Sequence, residues 1–171
     1  MAAELATGGH KEISISASAE AVWALVTNVE RFGEWSPENY RSEWLTAPPT
    51  HAGSRFRGHN RRVDGLKSWW SDCEVLAYDA PSTFAFRVLR VDFGDQRGVI
   101  ELPDTMSTTW RYVVSTGPHG DHESTLHVTF NCPALADPES GYRKNDRYEA
   151  VDDGAEQTLR RIKEVAEGKR H

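Results

Sequence analysis

The stretch Ser18–Pro37, SAEAVWALVTNVERFGEWSP, decides how the chain is organised. Ser18 can accept hydrogen bonds from the first free amides of a helix, and Glu20 puts a carboxylate in the first turn, at the positive end of the helix dipole. Val22, Leu25, Val26 and Val29 recur at helical spacing, so one face is apolar and must be covered, and Trp23 widens it. Asn28 reads as the cap of a second, shorter helix, and Pro37 disfavours helical backbone at Ser36 and stops it. The result is a helical elbow with Phe32 and Trp35 at its far end.

Outward from the elbow the pattern changes in kind. Before it, His10–Ser16 alternates, with Ile13 and Ile15 on one face, and reads as a strand; residues 1–9, ending in Gly8 and Gly9, hold little to bury and are expected to be disordered or frayed. After it, from about Arg41 to Cys132, residues favoured in strands alternate with period two between turn formers. The expected strands are Tyr40–Leu45, Ser54–Arg62, Lys67–Tyr78, Thr83–Val91, Ser107–Ser115 and Ser124–Cys132. Asp64-Gly65 marks a hairpin, Asp92–Gly98 a loop and Gly117–Glu123 a polar hairpin tip, while Val99–Leu102 stays open. A terminal helix, capped by Asp137 or Ser140, runs from about Tyr142 to Ala166 and ends at Gly168. Tyr148, Val151, Ala155, Thr158, Leu159, Ile162 and Val165 form its apolar stripe. These elements predict one α+β domain over residues 10–168, a curved antiparallel sheet of about seven strands round a long terminal helix.

Composition narrows the function classes. A chain of 171 residues fits one domain with a sizeable core. A net charge of −6 argues against nucleic acid, which needs a basic field, and only Arg55–Arg62 is locally basic. No apolar run is long enough for stable membrane insertion, and no secretory signal opens the chain, so cytoplasmic residence is expected. Cys73 and Cys132 are too few for a disulfide framework and lack zinc spacing. No phosphate loop, nucleophile elbow or cofactor motif is present, so no cofactor is expected. His119 and His122 sit beside Gly120 and Asp121, where a solvated turn is the simpler reading than a metal site.

The run Ser18–Glu38, the strand GSRFRGHNRR from Gly53 to Arg62, Trp69 with Cys73 and Val75, Phe84 with Phe86, Trp110 with Tyr112, and GAEQTLRRIKEVAE from Gly154 to Glu167 together resemble the START/Bet v1-like (SRPBCC) superfamily, in particular its polyketide cyclase/dehydrase-like branch of actinobacterial type. The resemblance covers nearly the whole chain. It implies a helix-grip fold, with a cavity between the sheet and the terminal helix. The superfamily spans aromatase/cyclases, lipid carriers, hormone receptors and chaperone activators, so the fold alone does not select a function.

Given that fold, the inward faces become candidate ligand contacts. Trp69, Ser71 and Cys73 share one face of their strand, Phe84 and Phe86 of the next; Trp110 and Tyr112 follow, then Val128 and Phe130. Phe56 and Asn60 come from the earlier strand and Ala155 and Leu159 from the helix. Each aromatic taken singly reads as core filling; as a group on this fold they read as the wall of a pocket. Asn60 reads equally as a structural hydrogen bond or as a ligand partner. Trp70, Asp72 and Glu74 form the opposite, solvated set, and Arg57 and Arg61 read as outer-face residues. Glu38, Glu43 and Asp72 are the carboxylates nearest the expected pocket mouth, each a surface charge before it is a general base. Cys73 reads as an inert apolar filler.

Three functions fit: binding of a hydrophobic small molecule, aromatase/cyclase chemistry on a polyketide-like chain, or a protein-interaction role with a filled core. No catalytic residue is assigned, and the sequence leaves a homodimer open.

Overall fold

The computed structural model of the protein describes residues 7–136 and 144–169. Eight strands form one antiparallel sheet: β1 Gly8–Ile15, β2 Asn39–Trp44, β3 Arg55–Arg61, β4 Ser68–Asp79, β5 Thr83–Asp92, β6 Val99–Glu101, β7 Thr109–Gly117 and β8 Gly120–Asn131. Their order is β1-β8-β7-β5-β4-β3-β2, with β6 paired to β5 beside this path. The two helices are α1, Ala19–Val26, and α2, Lys144–Ala166. The elbow thus carries the chain from one sheet edge, β1, to the other, β2. Among the described residues no helix is long and apolar enough to cross a membrane.

The elbow forms for the reasons its sequence gives. Ser18 Oγ accepts from the Ala21 amide at 3.1 Å, and Val22, Trp23 and Val26 are buried. Its second half, Val29–Glu34, is the short second helix, of 3-10 type, and Asn28 makes no capping bond from its side chain. Gly33 accounts for the tight packing there: a Cβ on it would come within 2.7 Å of the Tyr40 carbonyl oxygen.

Two boundaries differ from expectation with a physical cause. β1 begins at Gly8, with Gly8 and Gly9 paired to Asn131 and Phe130. A side chain on Gly9 would collide with the Phe130 ring, at 2.6 Å, so this glycine marks close packing rather than fraying. The tip between β7 and β8 shrinks to Pro118 and His119, because Gly120 takes a positive φ of 107° and closes a tight turn. The open stretch Val99–Leu102 pairs with β5 as β6. Asp137, Ser140 and Tyr142, expected to cap and begin the terminal helix, lie outside the described residues.

α2 crosses the concave face of the sheet. Val151, Ala155, Leu159 and Ile162 are buried in the same cluster as Ile15, Val114, Leu126 and Phe130. Polar ties fix its position: Lys11 Nζ meets Asp152 at 2.9 Å, Lys163 Nζ donates to the Ser14 carbonyl at 2.6 Å, and Arg161 donates to the Trp35 carbonyl at 3.3 Å. The elbow fills the neighbouring part of that face, where the Phe32 ring meets Phe56 at 5.9 Å and Phe86 at 6.2 Å, and the Trp23 ring meets Tyr78 at 5.3 Å.

The convex face corrects the expected solvated set. Residues in register place Glu43, Arg57, Asp72, Arg90 and Glu101 in one row across β2 to β6, alternating in sign. Arg55, Glu74 and Arg87 form a second row beside it. Asp72, expected in solvent, has a side chain only 1% exposed. Arg57 grips it through two bonds, of 2.6 and 2.9 Å, and Arg90 adds a third at 2.9 Å. The Arg57 guanidinium lies 3.8 Å from the Trp70 ring centroid, so cation, ring and carboxylate form one stack. Cross-strand pairing of opposite charges, and not solvation, explains why these residues alternate here.

Two outcomes follow. Leu159→Ala should cost about 3 kcal/mol in urea melts, the usual loss for a buried leucine, while the exposed Arg160→Ala should cost under about 0.5 kcal/mol; equal effects would contradict the placement of α2. Burial alone would raise the Asp72 pKa, but the bonds and charges of Arg57 and Arg90 outweigh it and hold it below its ordinary 3.8. Its stabilising effect is therefore complete above about pH 4 and fades as pH falls through the lowered value. Arg57 and Arg90 keep 31% and 35% exposure, so Asp72→Asn should cost about 2 kcal/mol at pH 7, less than for a fully buried pair. The gap between parent and variant should narrow below about pH 4; a gap that widens there would refute the pairing.

Candidate ligand site on the concave face

The concave face divides into a packed part and an accessible part. β7 lies inside the sheet, so its inward residues are flanked on both sides. Tyr112 stands between Phe84 and Val128, and Trp110 between Phe86 and Phe130. Those four neighbours are buried, yet Trp110 and Tyr112 remain partly accessible. Burial pushes the Tyr112 phenol pKa upward.

α2 and the elbow bound this region. Near the start of α2, Tyr148 packs its ring on Phe130 at 6.2 Å and donates from its hydroxyl to the Gly8 carbonyl at 3.3 Å. Arg147 lies over the Trp69 ring, 5.6 Å from its centroid, and binds both oxygens of Glu38, directly after the elbow. Further along α2, Gly154 lets Pro37 approach, for a Cβ there would lie 3.3 Å from the proline ring. The described boundary is thus an aromatic wall with one ion pair at its rim.

The thirteen residues singled out from the sequence fall into three groups. Phe56, Cys73, Phe84, Phe86, Val128, Phe130, Ala155 and Leu159 are buried core residues. Burial pushes the Cys73 thiol pKa up, so it stays protonated and inert. Asn60 and Ser71 join a polar chain at the β2, β3 and β4 end of the face. Asn60 Nδ2 donates to Ser71 Oγ at 3.3 Å and to the Gly58 carbonyl at 3.3 Å, while its Oδ1 accepts from Asn39 at 3.2 Å. Ser42 completes the chain by donating to Asn39 Oδ1 at 3.1 Å. Gly58 makes room for it, since a Cβ would press on Asn39 Nδ2 at 2.8 Å. Donor and acceptor of the Asn60 amide are both engaged, which favours its structural reading. Trp69, Trp110 and Tyr112 form the third, partly accessible group.

Of the carboxylates read as nearest the mouth, Glu38 keeps that position, paired to Arg147. Glu43 and Asp72 belong to the convex face, with His59 and with Arg57 and Arg90. The sequence reading did not single out Arg147, Asn39 or Ser42. Arg147 carries no local signal beyond its place beside Tyr148, and the two β2 residues need the strand register to be found.

The Tyr112 hydroxyl has no hydrogen-bond partner among the described residues. As a neutral phenol it can donate to a ligand carbonyl or accept from a ligand hydroxyl. Two open clefts lie elsewhere: one of about 360 Å³ between β1 and α2, by Lys11, Ile13 and Glu156, and one of about 480 Å³ by Trp44, Pro48 and Ser54. Neither touches Trp110 or Tyr112.

Comparison with known proteins agrees with this architecture. No curated protein matches the chain. Among solved structures, a START superfamily protein from Mycobacterium smegmatis superposes with a TM-score of 0.69 at 14% identity, covering 94% of this chain and 97% of the other. The Zhui aromatase/cyclase from Streptomyces sp. R1128 gives 0.64 at 16% identity, over 94% and 93%. The di-domain ARO/CYC StfQ from the steffimycin biosynthetic pathway gives 0.66 at 13% identity, with 97% of this chain aligned to 52% of that one. At such identities the likeness shows the fold. A family model described as polyketide cyclase / dehydrase and lipid transport matches residues 9–167. With nearly its whole length matched, the chain belongs to the polyketide cyclase/dehydrase and lipid transport family.

Proposed function

We propose that the protein binds a hydrophobic or aromatic small molecule, polyketide-like or lipid-like, between the sheet and the first half of α2. The observation that carries this reading is the accessibility of Trp110 and Tyr112 between buried neighbours in the middle of the sheet. A wall of this kind supplies apolar contact area, and one hydroxyl supplies orientation, which is the usual composition of a small-molecule site. Binding of this kind needs no turnover.

A second reading, ring closure or dehydration of a polyketide-like chain, has one feature in its favour. The Tyr112 phenol is held neutral, so it can donate to a carbonyl that gains charge as an enolate forms. No carboxylate or histidine accompanies it among the inward residues of β7, which run Trp110, Tyr112 and Val114. Catalysis there would come mainly from holding the chain in a reactive fold. An accessory role in protein interaction would instead require no internal ligand, and the binding experiment separates it from both.

Titration with an apolar dye or a planar aromatic carbonyl compound should quench tryptophan fluorescence, raise the melting temperature and give micromolar affinity. Trp110→Ala should weaken binding tenfold or more. Tyr112→Phe should weaken the carbonyl compound about three- to tenfold and leave a pure hydrocarbon unchanged, the signature of one lost hydrogen bond. If neither ligand alters fluorescence or melting, the hollow does not bind them and the reading fails. With a reactive poly-β-ketone surrogate, any rate enhancement should survive Tyr112→Phe within about tenfold; a loss of a hundredfold or more would establish Tyr112 as a true acid.

A further inference from the structure

The convex face carries a second cluster at the sheet edge far from the charge rows. On β1, His10 and Glu12 point outward two residues apart. Glu12 pairs in register with His127 of β8, and His10 pairs with Thr129, diagonal to His127. The His10 and His127 rings stack, with centroids 5.7 Å apart and 23° between their planes. His127 Nδ1 lies 3.1 Å from a Glu12 oxygen. One donor atom from each of the three falls within 4.8 Å of the other two.

We propose that His10, Glu12 and His127 form a binding site for one divalent transition-metal ion, with Zn²⁺ the best fit. Donors at 2.0–2.1 Å from a tetrahedral ion stand about 3.3 Å from each other. The Glu12 and His127 pair already has that spacing, and His10 needs only a side-chain rotation to join it. His10 and Glu12 are exposed, so both can turn without repacking the core. Two imidazoles and one carboxylate are the donors of borderline metals, whereas Mg²⁺ and Ca²⁺ prefer oxygen alone. Three protein ligands leave the fourth position to water.

The neighbourhood is compatible with an added cation. Lys11, between the two β1 ligands, turns to the opposite side and is held by Asp152. Arg111 shares this face, opposite Thr129 and diagonal to His127, but on β7, the side of β8 away from His10 and Glu12. β1 is an edge strand, paired on one side to β8. A chelate across β1 and β8 would therefore pin that edge, and through Lys11 and Ser14 the strand is tied to α2. The cluster lies on the face opposite Trp110 and Tyr112, so the two sites are independent.

Calorimetric titration of the full chain with ZnCl₂ should give one equivalent bound with micromolar affinity or better, and a melting temperature raised by several degrees. His10→Ala and His127→Ala should each weaken binding tenfold or more, with circular dichroism showing both folded; His10 is exposed, so its arm does not depend on core packing. MgCl₂ should have no effect, and the double change His119→Ala with His122→Ala, at the β7–β8 turn, should leave Zn²⁺ binding intact. No Zn²⁺ binding, unchanged binding in both His10→Ala and His127→Ala, or a loss confined to the His119 and His122 variant would each overturn the proposal.

Discussion

One constraint governs this molecule: a curved sheet has a single concave face, and one helix is too narrow to cover it. Seven strands on the main path, at about 4.8 Å spacing, make a surface roughly 30 Å across, while a helix with its side chains spans about 10–12 Å. α2 packs along β1 and part of β8, and α1 packs over β7 and β8. The elbow covers another part, through Trp23, Phe32 and Trp35. On the remainder lie Trp110 and Tyr112, partly accessible between buried neighbours. The chemistry offered on that part of the face is set by which residues the β7 register turns inward.

The convex face answers a different demand. It must meet water without leaving strands β2 to β6 loosely joined. Alternating charges in register do this: Glu43, Arg57, Asp72, Arg90 and Glu101 repeat across the strands, and Trp70 roofs the row at Arg57. The proposed ligand contacts and the charge pairing therefore occupy opposite faces of the same sheet. A change on one face reaches the other only through strand geometry, so binding and outer-face stability should be separable by mutation.

Much of the fold was legible in the sequence because its signals are periodic. The valine spacing of the elbow, the alternation through β4, β5, β7 and β8 and the stripe from Tyr148 to Ile162 each report a buried face directly. The second helical piece was legible as a short helix; its 3-10 form was not, because the contact with Tyr40 at Gly33, which tightens it, comes from the following strand. Gly9 looked like fraying for the same reason, as its partner Phe130 is more than a hundred residues away. Asp72 was misplaced in solvent because alternation gives the face and not the cover; Arg57 and Arg90 bury it from the neighbouring strands. At the candidate site, parity turns Trp110 and Tyr112 inward. It did not separate them from Phe84 and Phe130, since only packing decides which inward side chains are covered.

The proposed ligand site requires open space above Trp110 and Tyr112. Diffraction from crystals held under xenon pressure measures that space directly, because xenon enters apolar cavities and scatters strongly. The account predicts a xenon site in contact with the rings of Trp110 and Tyr112, on the side facing α2. Xenon only in the surface clefts by Ile13 or Trp44, with none between the sheet and α2, would contradict it.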